Sequence, residues 1–212
     1  MELTEVMRTT GSARRFRPER VPDEVLYRVL DNARFAPSGG NRQGWRVIVI
    51  RDPELRTALR DMYLRSWQVY HLPVFNRTLD VVANPSDHFA QHLDEVPVHV
   101  LVLVDRRALV TTIEALDRSN FVGGASIYPF VQNIVLGFRA EGLGTTLTTV
   151  LIPVEAEVKR LLDIPDEYAV AAFLGVGWPE RPFPTRLKRR PVEDFATVDG
   201  FSGNPIRAYR GS

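Results

Sequence analysis

The segment from Val98 to Val104 carries no charged residue, and valine recurs at every second position with His99, Leu101 and Leu103 between. A strand exposed on one side alternates apolar and polar residues, whereas this one is apolar on both faces and must be covered on both. The chain therefore needs helical layers on each side of a sheet in which this strand is central. With 212 residues and 44% apolar content it can fill such a core as one domain spanning 1–212, and neither an internal repeat nor an interdomain linker is visible.

Around that strand, helical and extended patterns interleave. Leu3 to Arg8 reads as a short helix. Val25, Leu26, Val29, Leu30 and Ala33 recur at helical spacing behind Pro22, Asp23 and Glu24, where proline and acids suit a helix start. Trp45 to Ile50 is a strand closed by the turn signal Asp52-Pro53, and a helix over 54–65 follows. The stretch 67–95 is aromatic and poorly periodic, and reads as a lid-like excursion of the kind that carries substrate contacts. Gly124 to Glu141 reads as a long helix, apolar almost all round and hence buried in a core or against a second subunit. Gly142-Leu143-Gly144 stops it, Thr145 to Leu151 is strand or extended loop, and Pro153 to Leu162 is helical. Ala169 to Val176 is the last strand, before a Pro- and Arg-rich tail whose end is 196–212. Interleaved helices and few strands indicate an α-plus-β layered fold with one sheet, in an order the pattern leaves open.

Composition narrows the chemistry. Lys plus Arg number 27 against 26 Asp plus Glu, so the overall field favours neither nucleic acid nor an anionic membrane as partner. Without cysteine there are no disulfides, thiolate nucleophiles or Cys-ligated metals. The N-terminus lacks the basic start and apolar core of a signal peptide, and no apolar run is long enough to span a bilayer, so a cytoplasmic protein is expected.

Four stretches could carry chemistry. Residues 9–20 place Ser12, Arg14, Arg15, Arg17 and Arg20 beside Gly11, a workable phosphate cradle or else a solvated basic loop. Residues 185–195 bring Lys188 and Arg190 just after the last strand, where an exposed tail is the competing reading. In the turn 36–45, Ser38, Asn41 and Gln43 offer donors and acceptors beside Gly39 and Gly40, which suits the edge of a heterocycle or, alternatively, a helix cap. His88 and His92 stand at helical spacing but lack the acid and third ligand of a zinc helix, so no metal is expected. Ser119, Ser126 and Ser202 have no nucleophile-elbow context, and neither a dinucleotide fingerprint nor a P-loop occurs.

Taken in order, these stretches resemble the FMN-dependent nitroreductase family. The resemblance rests on Ser12-Ala13-Arg14, on Ala36-Pro37-Ser38-Gly39-Gly40-Asn41-Arg42-Gln43-Gly44-Trp45, on Gly142-Leu143-Gly144 and on Arg190-Pro191. It implies an α+β fold with a central, mostly antiparallel sheet flanked by helices, and the long buried helix at the interface of a homodimer. It also implies one FMN in each of two clefts lined by both subunits. Ser12 and Arg14 would hold the phosphate or ribityl chain from one end, and Lys188 and Arg190 from the other. The family often has Arg-Arg before the serine; here Thr10-Gly11 stands instead, with Arg15 or a hydroxyl as the replacement contact. Pro37, Ser38, Asn41 and Gln43 would come from the second subunit, around the isoalloxazine edge. Leu147, Thr148, Thr149 and Leu151 would lie against the flavin, with a backbone N–H directed at N5.

The activity implied is ping-pong hydride transfer from NAD(P)H through the flavin to a flat acceptor, a nitroaromatic or quinone, with the protein supplying position and electrostatics. The alternative is a flavin-binding or flavin-processing protein on the same fold that does not turn over a nicotinamide. Behind both stands a polyanion binder using the two Arg clusters, against which the balanced charge argues.

Overall fold

Strand β2 (Val98–Asp105) lies inside a four-stranded sheet in the computed structural model, which describes residues 1–110 and 120–207. Its neighbours are β1 (Trp45–Ile50) and β4 (Tyr168–Gly177), and β3 (Gly144–Thr148) pairs with β4 at the far edge, giving the order β1-β2-β4-β3. Every pairing is antiparallel, with Ile48 opposite Leu101, Leu101 opposite Phe173, and Leu147 opposite Leu174.

The two faces of β2 explain its sequence. Val98, Val100, Val102 and Val104 point into a core shared with α2 (Asp23–Ala33) and α5 (Tyr128–Ala140). Leu101 and Leu103 point the other way, among residues of α3 (Pro53–Ser66), α4 (Pro85–Gln91) and α6 (Glu155–Leu161). Each side chain so buried contributes about 1.5–3 kcal/mol, so the strand is anchored from both sides. His99 shares the second face with its ring edge-on to Phe173 at 5.0 Å and Nε2 2.8 Å from the Leu93 carbonyl.

Local signals start the helices. The Asp52 carboxylate accepts from the backbone N–H groups of Glu54 and Leu55, with Pro53 in the first turn, and Asn84 caps α4 in the same way ahead of Pro85. Helix α1 (Leu3–Thr9) precedes the basic segment. The long helix differs from expectation: it begins at Tyr128 rather than Gly124, because Gly123-Gly124 forms a tight 3-10 turn and Pro129 takes the first helical turn. Phe130, Val131, Ile134, Val135 and Phe138 are buried in the chain's own core, where Phe130 stacks on Trp45 with ring centroids 4.7 Å apart.

The excursion after α3 is ordered around one buried carboxylate. Asp87 is fully buried; it accepts from Trp67 Nε1 at 2.7 Å, from both terminal nitrogens of Arg77, and from the Asp80 backbone N–H at 2.8 Å. Burial alone would raise its pKa, yet these donors hold it below the ordinary 3.8. The residues 72–84 are thereby fastened to the body of the fold. Among the described residues, no helix is long and apolar enough to cross a membrane.

Two outcomes are expected. Asp87→Ala, which strands Arg77 and Trp67, should cost about 3 kcal/mol or more in urea unfolding and open 72–84 to limited proteolysis. Burial lowers the His99 pKa from 6.5 to about 4, so the unfolded chain takes up a proton at a higher pH than the folded one. Its neutral form favours folding above pH 6.5, and stability should fall as pH drops from there toward 4, by up to about 3 kcal/mol. Urea midpoints across that window in wild type and His99→Gln check this, the variant giving the flatter profile.

Candidate functional site

An edge strand leaves a row of unpaired backbone groups, and in β3 the basic N-terminal segment takes that row. Ser12 bridges to Thr145 in parallel, the Ala13 N–H donates to the Thr145 carbonyl at 2.9 Å, and the Thr146 hydroxyl donates to the Ala13 carbonyl. Gly144 makes this approach feasible, because a Cβ there would stand 2.5 Å from the Ala13 Cβ. The docking leaves Ser12 exposed and Arg14 and Arg15 half-buried at the end of the sheet.

Tyr63 of α3 reaches the same place from below. Its hydroxyl lies 3.2 Å from Thr148 Oγ1, which also accepts from the Val150 N–H, and the Arg14 charge acts on it. Burial pushes the phenol pKa up to about 12 against the opposing pull of Thr148 and Arg14, so Tyr63 stays neutral. Leu147 and Thr149 are exposed on this surface. Leu151 departs from expectation: it is fully buried in the second core, because the chain turns inward to form the 3-10 turn Ile152–Val154.

The C-terminal segment returns to the N-terminal one. Pro184 and Leu187 lie against Gly11, and Lys188 lines a groove with Met7 and Arg8, so the two basic segments run side by side, with exposed Arg190 just beyond. Between residues 11–15, Val82 and Ala83 of the excursion, and 179–184 is a cleft of about 380 Å³. Arg14, Arg15 and Arg181 all line it.

The turn 37–43 is elsewhere, ahead of β1. It is no cap of α2, which ends at Ala33. Gly40, Asn41 and Gln43 have φ of 60°, 53° and 50°, left-handed values that cost most at the glutamine. Internal bonds hold them: the Ser38 hydroxyl oxygen accepts from the Gln43 N–H at 3.0 Å and Gln43 Nε2 donates to Asn41 Oδ1 at 3.1 Å. The Gly39 N–H donates to Ser126 Oγ at 2.9 Å. Gly44 seats the turn on β2, for a Cβ there would meet that of Ala108 at 2.5 Å while its carbonyl accepts from the Asp105 N–H. Pro37, Asn41 and Gln43 are exposed. Because β1 and β3 are opposite edges of the sheet, separated by roughly three interstrand spacings of about 4.8 Å, one chain does not bring this turn to Ser12.

His88 and His92 stack at 4.4 Å, and His92 Nδ1 pairs with Glu95 at 2.8 Å. Among the described residues no group of three or more His, Asp or Glu could hold a metal ion. Ser119 and 208–212 lie outside the described residues. Tyr63 and Arg181 are the site residues that sequence reasoning missed: one reads as a core aromatic of a helix, the other as a tail cation between prolines.

Comparison with known proteins places this geometry. The model of the Nitroreductase family matches residues 7–178. An NADH dehydrogenase of Thermus thermophilus is 33% identical over 86% of this chain and 88% of its own. A 5,6-dimethylbenzimidazole synthase of Rhodospirillum rubrum is 30% identical over 81% of this chain and 80% of its own. The crystal structure of oxidized iodotyrosine deiodinase bound to FMN and 3-iodo-L-tyrosine superposes with a TM-score of 0.70 at 24% identity, covering 92% of this chain and 100% of that one.

The seat of Ser12 and Arg14 is testable. Gly144→Ala should cost about 1–3 kcal/mol by forcing a methyl against Ala13. In hydrogen exchange the Ala13 amide should lose protection, while the central amides of β2 keep theirs.

Proposed function

Since the chain belongs to the nitroreductase family, we propose that it is an FMN-dependent oxidoreductase, carrying electrons from NADH or NADPH to a flat acceptor such as a nitroaromatic or quinone. The observation that carries the reading is the docking of Ser12–Arg14 on the edge of β3, beside the exposed Leu147–Thr149 surface. The residues present suit the cofactor. Ser12 offers a hydroxyl, and Arg14 and Arg15 are in no ion pair with an acid among the described residues. Leu147, 43% exposed, gives a planar ring an apolar platform, with Thr148 and Thr149 as polar neighbours.

When bound, FMN supplies the redox chemistry, accepting an electron pair and passing it on. Arg14 would set a positive charge at the ring edge, and Ser12, Lys188 and Arg190 would hold the phosphate and ribityl chain. Neutral Tyr63 holds Thr148 in place, and the excursion fastened by Asp87 brings Val82 and Ala83 to the cleft. The turn carrying Pro37, Ser38, Asn41 and Gln43 completes the site from a second copy, since its own chain holds it at the opposite sheet edge. On this reading the working form is a homodimer in the cytoplasm. A second reading keeps this site but omits nicotinamide turnover, and the likeness to a 5,6-dimethylbenzimidazole synthase favours it.

The visible spectrum before and after anaerobic NADPH or NADH tests these readings. Yellow protein that bleaches supports the oxidoreductase; yellow protein that does not bleach favours the second reading. Colourless protein that takes up no added FMN overturns both. Arg14→Ala and Arg190→Ala should each weaken FMN by about tenfold or more, the worth of one charge-assisted hydrogen bond.

A further inference from the structure

The cleft beside Ser12 holds an arginine with no assigned task. Arg181 lies on the returning C-terminal segment and shares the cleft with Ser12, Arg14 and Arg15. None of these arginines pairs with a carboxylate among the described residues. Like charges gathered around one cleft repel, and a bound anion removes that cost, most effectively a phosphate that guanidinium groups grip in bidentate fashion. The apolar part of the lining, Val82 and Phe183 among it, fits an anion carried on a larger body rather than a free ion.

The neighbourhood of Gly11 says why the arginine comes from here. A Cβ at position 11 would lie 3.1 Å from Pro184 Cγ and 3.5 Å from Leu187 Cδ2, so a side chain there would press on the returning segment. The segment that fills this space also delivers Arg181, and it is stiff. Phe16 bridges to Pro179, the Glu180 N–H donates to the Arg15 carbonyl at 3.2 Å, and prolines stand at 179, 182 and 184. Beyond Arg181, the Phe183 ring lies 3.8 Å from the Arg139 guanidinium, which donates to Thr9 Oγ1 at 2.9 Å. Arg181 is thus carried between two anchored points.

We propose that Arg181 is a phosphate-binding residue of the cleft, supplying from the C-terminal segment a cation that Gly11 does not provide. The inference rests on the FMN reading and names the cofactor phosphate as the anion. Riboflavin, the same ring and ribityl chain without phosphate, provides the test. The purified protein is stripped of flavin and titrated with FMN and with riboflavin, following flavin fluorescence. Arg181→Ala should weaken FMN by about tenfold to a hundredfold and leave riboflavin affinity unchanged, with Arg181→Lys falling between. Unchanged FMN affinity, or an equal loss for both flavins, overturns the assignment. If the wild-type protein takes up neither flavin, the FMN reading itself fails and the assignment falls with it.

Discussion

The hydrogen bond from the Ala13 N–H to the Thr145 carbonyl joins the basic N-terminal segment to the sheet, and the geometry of the candidate site depends on it. Without it, Ser12 and Arg14 would belong to a loop of no fixed position. With it, they stand at a set distance from Thr148 and from the Tyr63 hydroxyl beneath. The pairing exists because β3 is an edge strand and because Gly144 and Ala13 are small enough for two backbones to meet. A sheet edge, elsewhere a liability, here seats the basic segment of the candidate site.

How much of this could be read from residues alone follows from where the information lies. Val98–Val104 announced a sheet covered on both faces, since burial on two sides leaves no polar alternation to confuse the pattern. The turn signal at Asp52-Pro53 is local and equally plain, whereas the Asn84 cap starts a helix inside a stretch that reads as aperiodic. The start of α5 was misplaced because apolar periodicity runs on through Gly123-Gly124, where the backbone does not follow it. The family resemblance puts Leu151 with Leu147 against the ligand, whereas here the chain turns Leu151 into the core. Asp87 gave no sign: an acid in a first helical turn is ordinary, and its burial depends on Trp67 and Arg77, in segments without periodicity.

The turn from Pro37 to Gln43 shows what a single chain can and cannot explain. Its left-handed residues and internal bonds give it a defined shape, and Gly44 clamps it to the end of β2. Nothing in its own core requires that shape, for the side chains of Pro37, Asn41 and Gln43 face outward. Backbone strain kept at an exposed position is best understood as preparation for a ligand or a partner.

The contact between Gly11 and Pro184 also bears on how this chain can change. A side chain can be admitted at position 11 only if the ring at 184 gives way, and moving that ring shifts the segment that carries Arg181. The two positions are therefore coupled in space, so that a change at one is felt at the other.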